Sequence, residues 1–172
     1  GVGFMTAGTH VWSLEGTSND GTQYVAASHA PISSLLDPTN YDNILNHIVA
    51  KFKDNGVEPK NILMHITTGA LGCCLGWKTD NPEYQAKNQV KLNKMQELYG
   101  SNVTGIITKG PRAGGNAIHL DRIAISAATQ HGIQHIEVDS VCTSCNHETY
   151  FCGQRTKRST EIEQGYNNRN FV

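Results

Sequence analysis

The chain has 172 residues, of which 38% are hydrophobic, and a formal net charge of −1 at pH 7. This length suffices for one sizeable core but not for two ordinary domains, so we expect a single domain over residues 1–172. The near-neutral charge without a Lys/Arg run argues against nucleic acid as a partner, and no apolar run reaches the about 20 residues that span a bilayer, which argues against a membrane.

The first third of the sequence predicts strands followed by a helix. VGFMTAG and HVWSLEG precede the turn-rich SNDG, and TQYVAASHA follows it, which is the pattern of strands that pair across a short turn. After the Pro31 to Pro38 loop, Asp37 or Thr39 can cap a helix that stops at Asn55-Gly56. Its apolar residues recur at helical spacing and form one stripe: Ile44, Leu45, Ile48, Val49 and Phe52.

The rest of the chain alternates strands and helices. NILMHIT (61–67) predicts a buried strand that leads into the glycine-rich loop TGALGCCLGW, and a polar helix follows from Pro82 to Leu98. NVTGIIT predicts the next strand, KGPRAGGNAI a loop, Leu120 to Gln130 a helix, and IQHIEVD the last core strand before a polar surface tail. The expected class is α/β, of the α+β kind: a layered mixed sheet with flanking helices.

The segment VCTSCNHETYF (141–151) raises the question of a zinc site. Cys142, Cys145, His147 and Cys152 could supply a tetrahedral set, but ordinary structural sites take two ligands from each of two well-separated segments. A redox pair would need a helix start after Cys145, and none is evident. The remaining reading is cysteines packed at a strand end, and the sequence predicts that these four side chains do not together bind a metal.

The adjacent Cys73 and Cys74 lie in the glycine-rich loop. A glycine-flanked cysteine near backbone N–H groups can act as a nucleophile, whereas two small buried cysteines in a turn are the structural alternative. The chain has five cysteines, an odd number that does not resemble a secreted disulfide framework. We therefore expect the protein in the cytoplasm or another reducing compartment.

Two histidines stand at the predicted hairpin's open end. His10 begins one strand and His29 ends the next, so pairing could bring two imidazoles together to share a metal or to supply a base. Neighbouring residues of a strand point to opposite faces, however, and a strand-end histidine is often purely structural. Both readings remain open at this point.

The run from His119 to Arg155 resembles the carboxyl-terminal region of the laccase-domain family, also called multicopper polyphenol oxidoreductase or peptidoglycan-editing factor. Upstream, MTAGTHVW is similar to the family's Thr-Ala-Asp-Cys-x-Pro strand, VAASHAP to its His-Ala-Gly-Trp-Arg-Gly turn, and NGVEPKNILMHITTGALGCC to its Gly-Pro-x-Ile-Gly region. The downstream matches are Leu120-Asp121, Gly132-Ile133, Cys142-Thr143, Phe151 to Arg155 and Arg169-Asn170.

The resemblance implies a site as well as a fold. Family enzymes hold zinc through a His that precedes the region matched here, the Cys of Thr-Ala-Asp-Cys and the His of the glycine turn. His29 is the counterpart of the last, Thr9 replaces the cysteine, and His10 is the nearest substitute ligand. The implied catalytic positions are thus His29 and Thr9, with His29 and His10 as metal candidates. Zinc is a possible cofactor, but because only one family ligand is kept and Thr is a poor ligand, we expect the purified protein to bind it weakly or not at all.

The activity that the resemblance implies is phosphorolysis of a purine nucleoside, with nucleoside and phosphate as small-molecule partners. Arg155 and Arg169 would hold the phosphate, and Cys73 and Cys74 would border the substrate. Two alternatives differ in class. One is a non-catalytic subunit or interaction module that kept the fold and works with a protein partner or as an oligomer. The other is a cysteine hydrolase or glutamine deamidase, with Cys73 or Cys74 paired to His29.

Overall fold

The computed structural model describes residues 5–6, 10–29, 32–35, 44–146, 148–150 and 170–171. Across these ranges no helix has both the length and the apolar character that a membrane crossing requires. The strands are β1 (Met5–Thr6), β2 (Val11–Thr17), β3 (Gln23–His29), β4 (Ile62–Ile66), β5 (Gly76–Trp77), β6 (Thr104–Ile106), β7 (Asn116–Ile118), β8 (His135–Val138) and β9 (Asn170–Phe171). The α-helices are α1 (Ile44–Asp54), α2 (Pro82–Tyr99) and α3 (Leu120–Gln130), with short 3-10 turns at Ile32–Leu35, Pro59–Asn61 and Ser101–Val103.

The main sheet has four strands in the order β3-β2-β4-β8. β2 is antiparallel to both β3 and β4, whereas β4 and β8 are parallel. The predicted hairpin is confirmed: Ser18, Asp20 and Thr22 close its turn, with Ser18 N–H donating to Thr22 O at 2.9 Å. The predicted mixed, layered α/β fold is therefore also confirmed.

The two faces of this sheet differ in burial, as the alternation of side chains along a strand requires. On the inner face Trp12, Leu14, Met64 and Ile66 are all buried, and α1 and α3 pack there. The outer face, defined here by every second residue of the same strands, carries more polar and more exposed side chains. Its members are Val11, which is buried, and Ser13, Glu15, Thr17, Gln23, Val25, Ala27, His29, Leu63, His65, His135 and Glu137.

Helix α1 presents the predicted apolar stripe to the core. Leu45, Ile48, Val49 and Phe52 are buried and Ile44 is partly buried against the same cluster. The helix ends where predicted: Gly56 adopts φ +75, and Val57 N–H donates to Phe52 O at 2.9 Å, which satisfies one of the last free carbonyls. The predicted caps Asp37 and Thr39 lie outside the described residues.

Replacing Ile48 by alanine is expected to lower the free energy of unfolding by about 2 to 5 kcal/mol, because a buried side chain leaves both its transfer energy and a cavity behind. Ile48 is only 6% exposed in the middle of the α1 stripe. Denaturant unfolding of the variant and of Val90→Ala, on an exposed face of α2, makes the comparison. A loss of only a few tenths at Ile48 would show that α1 does not pack as described.

A second sheet of three short antiparallel strands, β5-β7-β6, contains the predicted strand β6 but departs from the predictions in β5 and β7. β7 lies inside the segment predicted to be a loop, and β5 lies at the end of the glycine-rich loop. These strands have two or three residues each, too few to show an alternating pattern. The end of the predicted surface tail also forms a strand, since β9 pairs with β1 through Met5↔Phe171.

Candidate functional site

The candidate site lies at one end of the four-stranded sheet, where β3 and the parallel pair β4 and β8 end and β2 begins. The register places Val11 opposite His29, Trp12 opposite Ile66, and Ile66 beside Val138. The loops that leave β4 and β8 therefore start side by side. The carboxyl ends of neighbouring parallel strands are the usual place for sites in such sheets.

The two loops remain paired beyond the strands. Asp139 N–H donates to Ile66 O at 2.9 Å, Gly69 and Cys142 form an isolated parallel bridge, and Thr143 N–H donates to Gly69 O at 3.1 Å. This continued pairing carries the Cys73–Cys74 segment of one loop to the Cys142–Cys145 segment of the other.

Four cysteine sulfurs converge where the loops meet. The Sγ atoms of Cys73, Cys74, Cys142 and Cys145, hereafter the cysteine cluster, all lie within 4.8 Å of one another. Cys145 Sγ is 3.6 Å from Cys73 Sγ and 3.5 Å from Cys74 Sγ. All four are free thiols, and Cys74 and Cys142 are buried while the other two are partly buried. The set is a candidate metal-binding group.

Short helical turns fix the cysteine backbones. Cys74 N–H donates to Leu71 O at 2.8 Å in the first loop, and Cys145 N–H donates to Cys142 O at 3.2 Å in the second. The loops are also cross-linked by Leu71 N–H, which donates to Cys142 Sγ at 3.4 Å. The glycine-rich loop is held from its other side by Lys109 N–H, which donates to Cys73 O at 2.9 Å. The thiols are thus positioned by backbone contacts.

The environment distinguishes the thiols electrostatically. Burial, together with hydrogen bonds to the thiols of Cys142 and Cys145, raises the pKa of Cys73 far above its usual range. Burial likewise raises the pKa of Cys74 to about 11. Burial opposes ionisation of Cys142 too, but hydrogen bonds from the N–H groups of Leu71 and Cys145 and from the thiols of Cys73 and Cys145 together outweigh it and lower that thiol's pKa. Without a cation, Cys142 is the preferred site for negative charge, as expected of a sulfur that accepts N–H bonds.

The side chain of His10 is buried against Gly69 of the glycine-rich loop. It is 1% exposed, and its Nδ1–H donates to Thr67 O at 2.6 Å, because a carbonyl can only accept. Burial lowers the pKa of His10, so the imidazole is neutral. A Cβ built on Gly69 would lie 2.8 Å from His10 Nδ1, and one on Gly72 would lie 2.3 Å from His119 Nδ1. Glycine at these two loop positions therefore admits the two rings.

His29 occupies the other face of the sheet. It pairs with Val11, so its side chain lies on the outer face, whereas His10 precedes Val11 and is buried on the inner side with Trp12. The hairpin brings the two residues to one end of the sheet, as predicted, but the register does not bring their imidazoles to one face. Although His29 is exposed, partial desolvation lowers the pKa of its imidazole.

Several predicted site residues cannot be placed. Thr9, Arg155 and Arg169 lie outside the described residues, as do His147 and Cys152, so the roles assigned to them stay predictions. Among the described residues, the only counterpart of a family zinc ligand is His29, and His10 does not join it. The described part of the chain therefore does not assemble the histidine–cysteine zinc site that the resemblance implies.

The cysteine cluster is the grouping that the sequence analysis missed. The sequence places Cys73 and Cys74 near a substrate and groups Cys142 and Cys145 with His147 and Cys152, and its local patterns do not indicate that the two pairs meet. A signal was present: each pair follows a predicted core strand within about ten residues, and adjacent parallel strands bring such loops together. The parallel pairing of β4 with β8 was the missing information.

The outer face, on whose edge strand β3 His29 lies, holds a second group of polar side chains on β4 and β8. His65 Nε2 lies 3.4 Å from Asp139 Oδ2, and Glu137 is the register neighbour of His65. A groove on this face is lined by residues that include Ser13, Glu15, Leu63, His65 and Glu137. The arrangement offers carboxylate and imidazole groups to a small molecule, and it contains no Lys or Arg among these lining residues.

Three solved structures are similar to this chain. They are the hypothetical protein YfiH of Bacillus licheniformis (TM-score 0.67, 16% identity), YlmD of Geobacillus stearothermophilus (0.63, 16%) and protein NMB0706 of Neisseria meningitidis (0.60, 17%). The matches cover 98%, 98% and 89% of this chain but 55%, 54% and 54% of the respective relatives. The chain thus spans about half the length of these proteins, and at such low identity the likeness shows the fold alone.

Sequence comparison identifies the family. No curated protein matches the chain. The profile of the family described as multi-copper polyphenol oxidoreductase laccase matches residues 18–162, which is most of the sequence. That match includes the second hairpin strand, β3, the glycine-rich loop and both cysteine pairs. The chain therefore belongs to the multi-copper polyphenol oxidoreductase laccase family, the laccase-domain family that its motifs resemble.

Proposed function

We propose that this laccase-domain chain binds a purine nucleoside, or a small molecule of similar shape, on the outer face of its main sheet. The observation that carries the proposal is the register position of His29, the residue that matches the family's imidazole. It lies on the same face as the groove that includes Ser13, His65 and Glu137. Imidazole rings can stack on a purine, and carboxylates accept hydrogen bonds from ribose hydroxyls and exocyclic amines.

Phosphate is a less suitable ligand for the described part of this face. Glu137 and Asp139 are acidic, and the lowered pKa of His29 leaves its imidazole neutral at pH 7. Phosphate needs cations or clustered N–H donors, so phosphorolysis would depend on Arg155 and Arg169. We accordingly propose nucleoside binding as the main property and weak or absent phosphorolysis. A reducing compartment such as the cytoplasm accords with the four free thiols.

Calorimetric titration with adenosine and inosine, with and without phosphate, tests the proposal. His29→Ala should weaken binding about tenfold, the equivalent of one lost hydrogen bond or ring contact. His131→Ala is the matched control, because His131 follows α3 on the helical side of the sheet and should leave the affinity unchanged. Failure of the unaltered protein to bind either nucleoside, or equal losses in both variants, would contradict the proposal.

An assay of phosphorolysis distinguishes a catalytic phosphorylase from a protein that only binds the nucleoside. Phosphate-dependent release of free base that disappears in His29→Ala and in Arg155→Ala would establish a phosphorylase. Equal background in all three proteins would leave a non-catalytic module as the better account. The latter is a real second candidate, because His10 and His29 lie on opposite faces and the described residues do not complete the family's zinc set.

The hydrolase or deamidase alternative receives no support from the described geometry. A cysteine nucleophile needs a lowered pKa and an adjacent base. Cys73 and Cys74 instead face other thiols, and burial raises the pKa of both.

A further inference from the structure

The spacing of the cysteine sulfurs matches a tetrahedral metal site. Zinc bound by four thiolates at about 2.3 Å requires sulfurs about 3.8 Å apart along each edge of the tetrahedron. The separations are 3.8 Å for Cys73–Cys74, 3.6 Å for Cys73–Cys145 and 3.5 Å for Cys74–Cys145, and every pair in the cluster lies within 4.8 Å. Only a few tenths of an ångström separate the three shorter values from the ideal edge.

Disulfides do not explain this arrangement. A disulfide holds two sulfurs about 2.05 Å apart, far closer than the 3.5 to 3.8 Å between the sulfurs of Cys73, Cys74 and Cys145. Cys145 is nearly equidistant from two partners, which is the geometry of a shared centre. The ligands also come from two well-separated segments, as in structural zinc sites. Cys142 and Cys145 have the usual two-residue spacing of such sites, whereas Cys73 and Cys74 are adjacent.

The surrounding backbone is suited to bound thiolates. Leu71 N–H donates to Cys142 Sγ, and each cysteine pair sits on a hydrogen-bonded turn that fixes it before any ion arrives. Four thiolates around Zn²⁺ carry a net charge of −2, which N–H donors offset in part. The donor set is entirely sulfur and leaves no open coordination position for a substrate. Such closed sites are structural.

We propose that Cys73, Cys74, Cys142 and Cys145 bind one Zn²⁺ ion as four thiolates and thereby fasten the loop after β4 to the loop after β8. Binding releases the thiol protons to solvent and changes no oxidation state. The site is separate from the His29 position on the outer face and does not depend on nucleoside binding. It differs as well from the contiguous set that the sequence raised, because it uses neither His147 nor Cys152.

Metal analysis of the full chain, purified with a thiol reductant, tests this assignment. The unaltered protein should carry about one zinc per chain, as a single tetrahedral site requires. Cys152→Ser is the matched control and should retain it, whereas Cys73→Ser and Cys145→Ser should lose most of it. Loss in Cys152→Ser with retention in Cys73→Ser would overturn the proposal in favour of the contiguous segment.

A second measurement on the unaltered protein remains decisive even if the serine variants fail to fold. Replacement of zinc by Co²⁺ should give the intense d–d and sulfur-to-cobalt charge-transfer bands of four-thiolate tetrahedral coordination. Zinc should then displace the cobalt and raise the unfolding temperature. A protein that takes up neither ion under reducing conditions, that binds iron in preference to zinc, or that shows an octahedral cobalt spectrum would refute the assignment.

Discussion

Alanine at Gly76 is expected to destabilise the protein by about 4 kcal/mol or more, or to prevent folding, because backbone atoms occupy the space its Cβ needs. That Cβ would lie 1.9 Å from Asn116 O and 3.0 Å from Ala117 Cα, and Gly76 has a φ of +152. A flexible side chain could move aside, but β7 cannot move without breaking its pairing with β5 and β6.

Gly110→Ala is the matched control for this prediction. Gly110 also has a positive φ, +76, but nothing lies within 4 Å of its built Cβ. The Gly110→Ala substitution should therefore lower the free energy of unfolding only by the conformational strain, about 1 to 2 kcal/mol. Denaturant unfolding of both variants gives the comparison. Similar losses at the two glycines would show that the close approach of β5 and β7 is not as described.

Trp12→Ala should cost about 3 to 5 kcal/mol, since it removes the largest side chain from the centre of the inner face. Trp12 is 1% exposed and lies between its register neighbours Ser28 and Ile66. Chemical unfolding followed by far-ultraviolet circular dichroism measures the loss without relying on the deleted fluorophore.

Val25→Ala provides the counterpart on the outer face of the same hairpin. Val25 is 75% exposed, so its truncation should change the free energy of unfolding by no more than about 0.5 kcal/mol. Together, Trp12→Ala and Val25→Ala test which face of the sheet is buried and which is exposed. The proposed nucleoside site depends on the outer face being exposed. A large loss at Val25 would mean that another surface covers the outer face in solution.

Local patterns in the sequence were enough to predict the longer elements. The α1 stripe has helical periodicity, α3 runs from Leu120 to Gln130 as predicted, and the apolar run of β4 is bounded by turn residues. In each case the residues of the segment itself are enough to predict its secondary structure. The order of these elements, a hairpin followed by alternating helices and strands, then predicted the layered mixed sheet.

The short strands could not be predicted in the same way. β5 and β7 become strands because Gly76 permits a close approach to Ala117, a contact between segments about 40 positions apart. These segments are therefore strands because they pair with a segment that is distant in the sequence, and local sequence does not predict that pairing. The register of the hairpin raises the same difficulty, since a shift of one residue would have placed His29 on the face of His10.

Each of the two loops carries one pair of the four cysteines. The sequence alone does not show that the strands before these loops, β4 and β8, are parallel neighbours. Cys73 and Cys145 are 72 positions apart, and only the β4–β8 pairing makes them adjacent. The ligands of the cluster are divided between two strand ends, so no contiguous motif contains them.

The parallel pairing of β4 with β8 also has a kinetic consequence. Contacts between distant segments pay a large loop-closure entropy before they stabilise anything, so this pairing should form late in folding. During synthesis, Cys73 and Cys74 leave the ribosome well before Cys142 and Cys145 exist. For that interval the first two thiols have no cluster to join, and a nascent chain would expose them to oxidants and to competing metals until β8 docks.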